Sequence, residues 1–247
     1  MARIRRVVRA VIAMAALFML PANALASAII IDNFEDGTTQ NWIIGAGPGG
    51  GGAHPAPPQN VANGGPSGAG DNYLLLTAVG GVAAGSRLSV LNLDQWALDY
   101  IASGITQIEM DLNNLGQTEL ALRLLFEDPM FGPPTNSAFS AVPILVPAGS
   151  GWVHVVFPVA PAALIANLGT AEGALMNTTA LRIFHSLADA VPGPAVVASL
   201  GVDNITAIAP EAVPEPITLL LFGTGCLAVI AKLRVQRKKT HLRPPHA

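Results

Sequence analysis

Two neighbouring stretches, residues 105–113 and 119–127, alternate apolar and polar side chains, and a period of two commits them to extended strands with one face buried. In the first, Ile108, Met110 and Leu112 point one way while Glu109, Asp111 and Asn113 point the other. In the second, Leu120, Leu122, Leu124 and Phe126 are the expected core partners. If residues 114–118 close a simple hairpin, Arg123 stands opposite Glu109 with Asp111 beside it. Similar runs recur at 73–79, 87–93, 138–146, 152–159, 181–185 and 196–208, after an opening run at 29–31 that ends in turn residues Asp32 to Gly37. Nine such runs, with one expected helix at 160–168 behind Pro161, predict a single all-β jelly roll or β-sandwich over residues 29–210.

Residues 45–70 are rich in Gly, Pro, Ala and Asn and read as a long surface loop. No Lys-Ser/Thr pair follows its glycines, which excludes a phosphate-cradling loop. The lone Cys226 lies outside the β-rich body, so no disulfide can staple that body.

The formal net charge of −3 conceals a segregation. Residues 29–210 hold Arg87, Arg123 and Arg182 against fourteen Asp and Glu, a balance of −11, and the other ten cations sit in the two ends. A body so acidic offers no basic patch for a phosphate backbone, so nucleic acid is not an expected partner. The ends also hold long apolar runs, which accounts for 51% hydrophobic and only 12% charged residues. Arg3, Arg5, Arg6 and Arg9 precede an apolar segment at 10–20, then Pro21 and the small residues Ala24, Ala26 and Ala28. This is the pattern of a signal peptide over 1–28, cut after Ala26 or Ala28. At the other end, fifteen uncharged residues at 217–231 precede Lys232, Arg234, Arg237, Lys238 and Lys239. As a helix they reach about 22 Å, and extension to 235 with the cations snorkelling to the interface makes a single transmembrane helix feasible. The basic cluster is the expected stop-transfer, and both ends cytoplasmic leaves the acidic body exported across the inner membrane.

Within the body, Glu109 and Asp111 admit two readings. They are paired carboxylates on a sheet face, as a glycosidase would use for nucleophile and acid, or they are neutralised across the strands by Arg123. Zinc spacing is absent, His154 and His185 are single strand residues, and no Gly-x-Ser-x-Gly joins a strand to a helix. Trp96 and Tyr100, in the acidic stretch 94–100, are the candidates for exposed stacking on a sugar, against the alternative that they pin that stretch to the core.

The order Pro214-Glu215-Pro216, apolar helix and basic terminus, paired with a signal peptide, resembles the PEP-CTERM sorting signal over 211–239, followed here by an extra polar extension at 240–247. The resemblance implies a substrate of exosortase, a membrane transpeptidase that would read Pro214, Glu215 and Pro216, cut nearby and release the body to the cell envelope or extracellular matrix. The helix would then be a transient anchor. Two prolines favour an extended backbone suited to a protease-like cleft. Separately, Asn33-Phe34-Glu35-Asp36-Gly37 with Trp42, and Val202-Asp203-Asn204-Ile205, resemble the terminal strands of carbohydrate-binding-module-like jelly rolls. That resemblance implies a structural calcium with Glu35 and Asp203 as ligands, hard oxygens suited to the ion. The expected protein is a non-enzymatic exported one, structural or polysaccharide-binding, with a secreted glycan-active enzyme using Glu109 and Asp111 as the alternative.

Overall fold

The computed structural model describes residues 26–44, 56–81, 86–129 and 134–210. Residues 1–25 of the leader expected over 1–28, the first part of the Gly/Pro loop, and the whole C-terminal tail with its sorting triad, apolar helix and cations lie outside the described residues; Ala26 to Ala28, the last of the expected leader, begin the first strand.

The body is two antiparallel sheets. The first is built around β13 (Val197–Pro210), whose one edge pairs with β6 (Gln107–Asn114), itself flanked by β10 (Trp152–Pro158). The other edge of β13 is shared: β4 (Tyr73–Val79) takes its first half and carries β3 (Gln59–Val61), while β1 (Ala26–Asp32) takes the second half. The second sheet runs β11 (Leu164–Leu168), β8 (Asn136–Ser140), β7 (Leu120–Asp128), β12 (Ala180–His185), β5 (Ser89–Asn92), β2 (Trp42–Ile44), with β9 (Ile144–Val146) also on β7. The all-β sandwich expected from the period-two pattern is therefore the fold. All of these strands fall within Ala26–Pro210, which packs as one unit around its own core.

Ile108, Met110 and Leu112 do share a core with Leu120, Leu122, Leu124 and Phe126, and all seven are fully buried. They meet across the sandwich, however. β6 pairs with β10 and β13, whereas β7 pairs with β12, β8 and β9, so the expected β6–β7 hairpin does not form. Stacking the two apolar faces against each other buries both at once, at about 1.5–3 kcal/mol per large side chain, which side-by-side pairing could not do. Buried Asn114 holds the crossover: its Nδ2 donates to the Thr118 and Val146 carbonyls and its Oδ1 accepts from the Gly116 N–H.

Three further expectations change. Residues 160–168 form a short 3-10 turn (Pro161–Ala163) followed by β11, and the one α-helix described, α1 (Ala171–Met176), comes later with Thr170 accepting from the Gly173 N–H as its N-cap. The expected loop at 45–70 contains β3, anchored by Asn60 Nδ2 donating to the Phe34 and Thr38 carbonyls. The run at 138–146 is split into β8 and β9.

Candidate functional site

Strand parity sets the outer face of the first sheet. Along β6 the inward residues are apolar up to Asn114 at its end, and Gln107, Glu109, Asp111 and Asn113 face out. Register then places Trp152 beside Asn113, His154 beside Asp111 and Val156 beside Glu109 on one flank, with Gly201 beside Asn113 and Asp203 beside Asp111 on the other.

At one end of this face Trp152 and Tyr73 meet edge to face, ring centroids 5.3 Å apart at 78°. The Trp152 Nε1–H donates to the Gly64 carbonyl at 2.9 Å, which fixes the indole. Gly201 makes the arrangement possible, because a Cβ there would lie 2.9 Å from Trp152 Cη2 and 3.3 Å from Tyr73 Cδ2. Both rings are only partly buried, so the pair forms an aromatic shelf open to solvent. Period two would have revealed it, since Val153, Val155 and Phe157 face the core and Trp152 therefore cannot.

Next to the shelf stands a polar bank. His154 Nδ1 lies 3.0 Å from Asp111 Oδ1, and its Nε2 lies 3.6 Å from Glu109 Oε2. Gln107 Nε2 donates to Glu109 Oε1, and Asn204 Nδ2 donates to Asp111 Oδ2. The last contact depends on a register shift in β13 between Asp203 and Thr206, where Asn204 adopts a left-handed φ of 50° that asparagine tolerates better than most residues. Arg123 is nowhere in this bank, which corrects the expected pairing with Glu109. It is buried in the second sheet, donates to the Ser186, Ser140 and Ala141 carbonyls and to Asp189, and lies over the Phe139 ring.

Asp203 is 1% exposed, and its Oδ2 has no hydrogen-bond partner. Burial, and then the neighbouring charges of Asp71, Asp111 and Glu35, push its pKa up to about 7 against the Asn204 N–H that its Oδ1 accepts. Hard, uncompensated oxygen of this kind suits a cation. The donor set expected for calcium is nevertheless incomplete: Glu35 Oε1 accepts from the Asn72 N–H, and among the described residues no three His, Cys, Asp or Glu side chains converge on one point. Calcium takes six to eight oxygens, which Glu35 and Asp203 alone do not supply.

Trp96 and Tyr100 are not stacking platforms. Both are fully buried. The Trp96 and Trp42 indole N–H groups both donate to Asp32 Oδ2, each at 2.7 Å, and Tyr100 Oη donates to the Trp96 carbonyl while its ring meets Phe126 edge-on. Asp94, Gln95 and Asp99 disguise this stretch as surface; Asp32, which satisfies its indole, lies 64 residues away.

The architecture is that of the carbohydrate-binding-module β-sandwiches. The chain is similar to the family 11 carbohydrate-binding module from Clostridium thermocellum, in complex with a beta-1,3-1,4-mixed-linked tetrasaccharide, at 14% identity and a TM-score of 0.50, over 76% of this chain and 98% of that one. It is also similar to an exo-beta-agarase at 12% identity and a TM-score of 0.50, over 77% of this chain but only 26% of the enzyme. At such identities the likeness is one of fold. A comparison with curated proteins finds no match. Residues 212–238 match the PEP-CTERM protein-sorting motif, so the chain carries that motif behind its sandwich.

Proposed function

We propose that the chain is an exported protein, read by exosortase at Pro214, Glu215 and Pro216, whose sandwich binds polysaccharide without cleaving it through the outer face of the first sheet. Sorting is supported by the motif match at 212–238. Release to the envelope or matrix, after transient anchoring in the inner membrane by residues 217–235 and the cations from Lys232 to Lys239, is part of the same proposal. Binding rests on one observation, the open Trp152–Tyr73 shelf above Gly201, set beside side chains that can hydrogen-bond sugar hydroxyls. Aromatic faces carry the apolar face of a sugar ring, and flanking polar groups orient it.

Binding is favoured over hydrolysis because the His154 imidazole lies against both Glu109 and Asp111, where a substrate would have to come between them. A glycosidase pair must instead stand on either side of the scissile bond, separated by the reacting sugar or a water.

Affinity electrophoresis of residues 26–210 in a panel of soluble polysaccharides tests the binding. Retardation in at least one gel is expected, lost in Trp152→Ala; a variant retarded as strongly as wild type sinks the assignment of the face. Polysaccharide chain shortening that disappears in Glu109→Gln with Asp111→Asn would favour the enzyme. For sorting, the wild-type envelope form should be lighter than the form of a Pro214→Ala, Glu215→Ala, Pro216→Ala variant; equal masses exclude cleavage.

A further inference from the structure

The face around Trp152 is acidic and almost without counter-charge. Glu109, Asp111 and Asp203 belong to it, and Glu35 and Asp71 are within electrostatic reach of Asp203. The three arginines of the described body are elsewhere. Arg123 is spent on Asp189 and three carbonyls, Arg182 pairs with Glu127 on the second sheet, and Arg87 lines a crevice with Ile44, Pro58, Leu76 and Thr77. The one basic group in the bank is His154, whose side chain is 57% exposed and touches both accessible carboxylates.

Carboxylates can accept from the hydroxyls of an uncharged sugar, but amides and hydroxyls would do so without the cost of holding like charges together. A polyanionic glycan would be repelled. The Asp203 Oδ2, buried on the same face beside Asp111, has no hydrogen-bond partner, so no protein donor offsets that oxygen. A metal ion fits these groups poorly, since among the described residues no three carboxylate or imidazole groups converge. An ammonium group needs only one or two carboxylates, which it reaches by charge-assisted hydrogen bonds, and cations are also attracted to indole faces.

We propose that this face selects glycans bearing free amino groups, with Trp152 and Tyr73 carrying a sugar ring and Glu109 and Asp111 receiving the ammonium of that sugar or its neighbour. The proposal rests on the reading of this face as a glycan site. In the free protein His154 lies against both carboxylates, and in the complex the ammonium takes its place on Asp111.

The test is calorimetric titration of residues 26–210, which contain every strand of both sheets, below the pKa of the sugar amine. The probes are a fully deacetylated chitooligosaccharide, its N-acetylated counterpart and an oligogalacturonate, each with and without added calcium. The deacetylated probe should bind about fivefold to tenfold more tightly than the acetylated one, and its affinity should fall with salt. Glu109→Gln with Asp111→Asn should erase the difference by weakening the deacetylated probe more than the acetylated one, with a cooperative thermal melt retained, and Trp152→Ala should weaken both probes. Equal affinity for the two chitooligosaccharides, a preference that survives the amide variant, or tighter binding of oligogalacturonate overturns the inference alone. A preference abolished by calcium assigns the charge to a metal and overturns it too. Undiminished binding by Trp152→Ala, or no binding of any probe, removes the glycan site on this face and the inference with it.

Discussion

Asp32 Oδ2 accepts the indole N–H of Trp96 at 2.7 Å, and the same oxygen accepts that of Trp42 at the same distance. Gln95 Nε2 donates to both Asp32 oxygens. One carboxylate at the end of β1 thus satisfies two buried indoles from different parts of the chain. Burial raises its pKa, so the interaction is held at the expense of a partly desolvated charge. Asp32→Ala leaves two buried donors unpaired at about 1–3 kcal/mol each. Urea denaturation should show a loss of about 2–5 kcal/mol, with the midpoint falling and the slope retained; a loss under about 1 kcal/mol would mean that water replaces the carboxylate.

Arg123 and Asp189 should respond unequally. Arg123 is buried and serves three carbonyls, whereas the Asp189 side chain is 63% exposed. Arg123→Met should destabilise by about 3–5 kcal/mol, because removing the cation strands buried acceptors. Asp189→Ala should cost less, about 1–2 kcal/mol, because the exposed carboxylate is lost while the buried guanidinium keeps its three carbonyls. Equal losses in thermal melts of the two variants would contradict the assignment of Arg123 to the carbonyls.

His185 makes stability pH-dependent. Burial pushes its imidazole below the usual 6.5, and its Nδ1 accepts the Ala121 N–H, which requires the lone pair. The unfolded chain takes up a proton first as pH falls. The His185 contribution is therefore complete above about pH 6.5 and declines below it until the folded-state pKa is reached. Urea midpoints measured from about pH 7.5 to 5 should fall by a larger increment in wild type than in His185→Asn. Parallel curves would show that His185 titrates alike in both states.

Gly201→Ala separates binding from folding. The added methyl meets the distal edge of the Trp152 ring, which can move outward only by giving up its solvent-exposed hydrogen bond to the Gly64 carbonyl, so the melt should shift by only about 1–2 kcal/mol equivalent. Glycan retardation on affinity gels should nevertheless drop, because the shelf loses its geometry. Unaltered retardation would show that the indole does not need to lie against the strand.

The alternation in residues 105–113 and 119–127 predicts strands and their inward residues, and the recurrence of such runs along residues 29–210 predicts the sandwich, because the buried face of a strand is a local property of its sequence. The charge segregation and the order of triad, apolar run and basic end are equally local, and they made the sorting motif legible. Pairing is not local. β6 and β7, adjacent in sequence, belong to opposite sheets because their apolar faces are best buried against each other, and this alone removed Arg123 from Glu109 and brought His154 there instead. Trp96 and Tyr100 looked exposed among Asp94, Gln95 and Asp99; only folding brought Asp32 to the Trp96 indole and so allowed the ring to be buried. Only the tertiary structure brought Trp152, Tyr73 and Gly201 together from three strands, and with them the aromatic shelf on which the proposed binding depends.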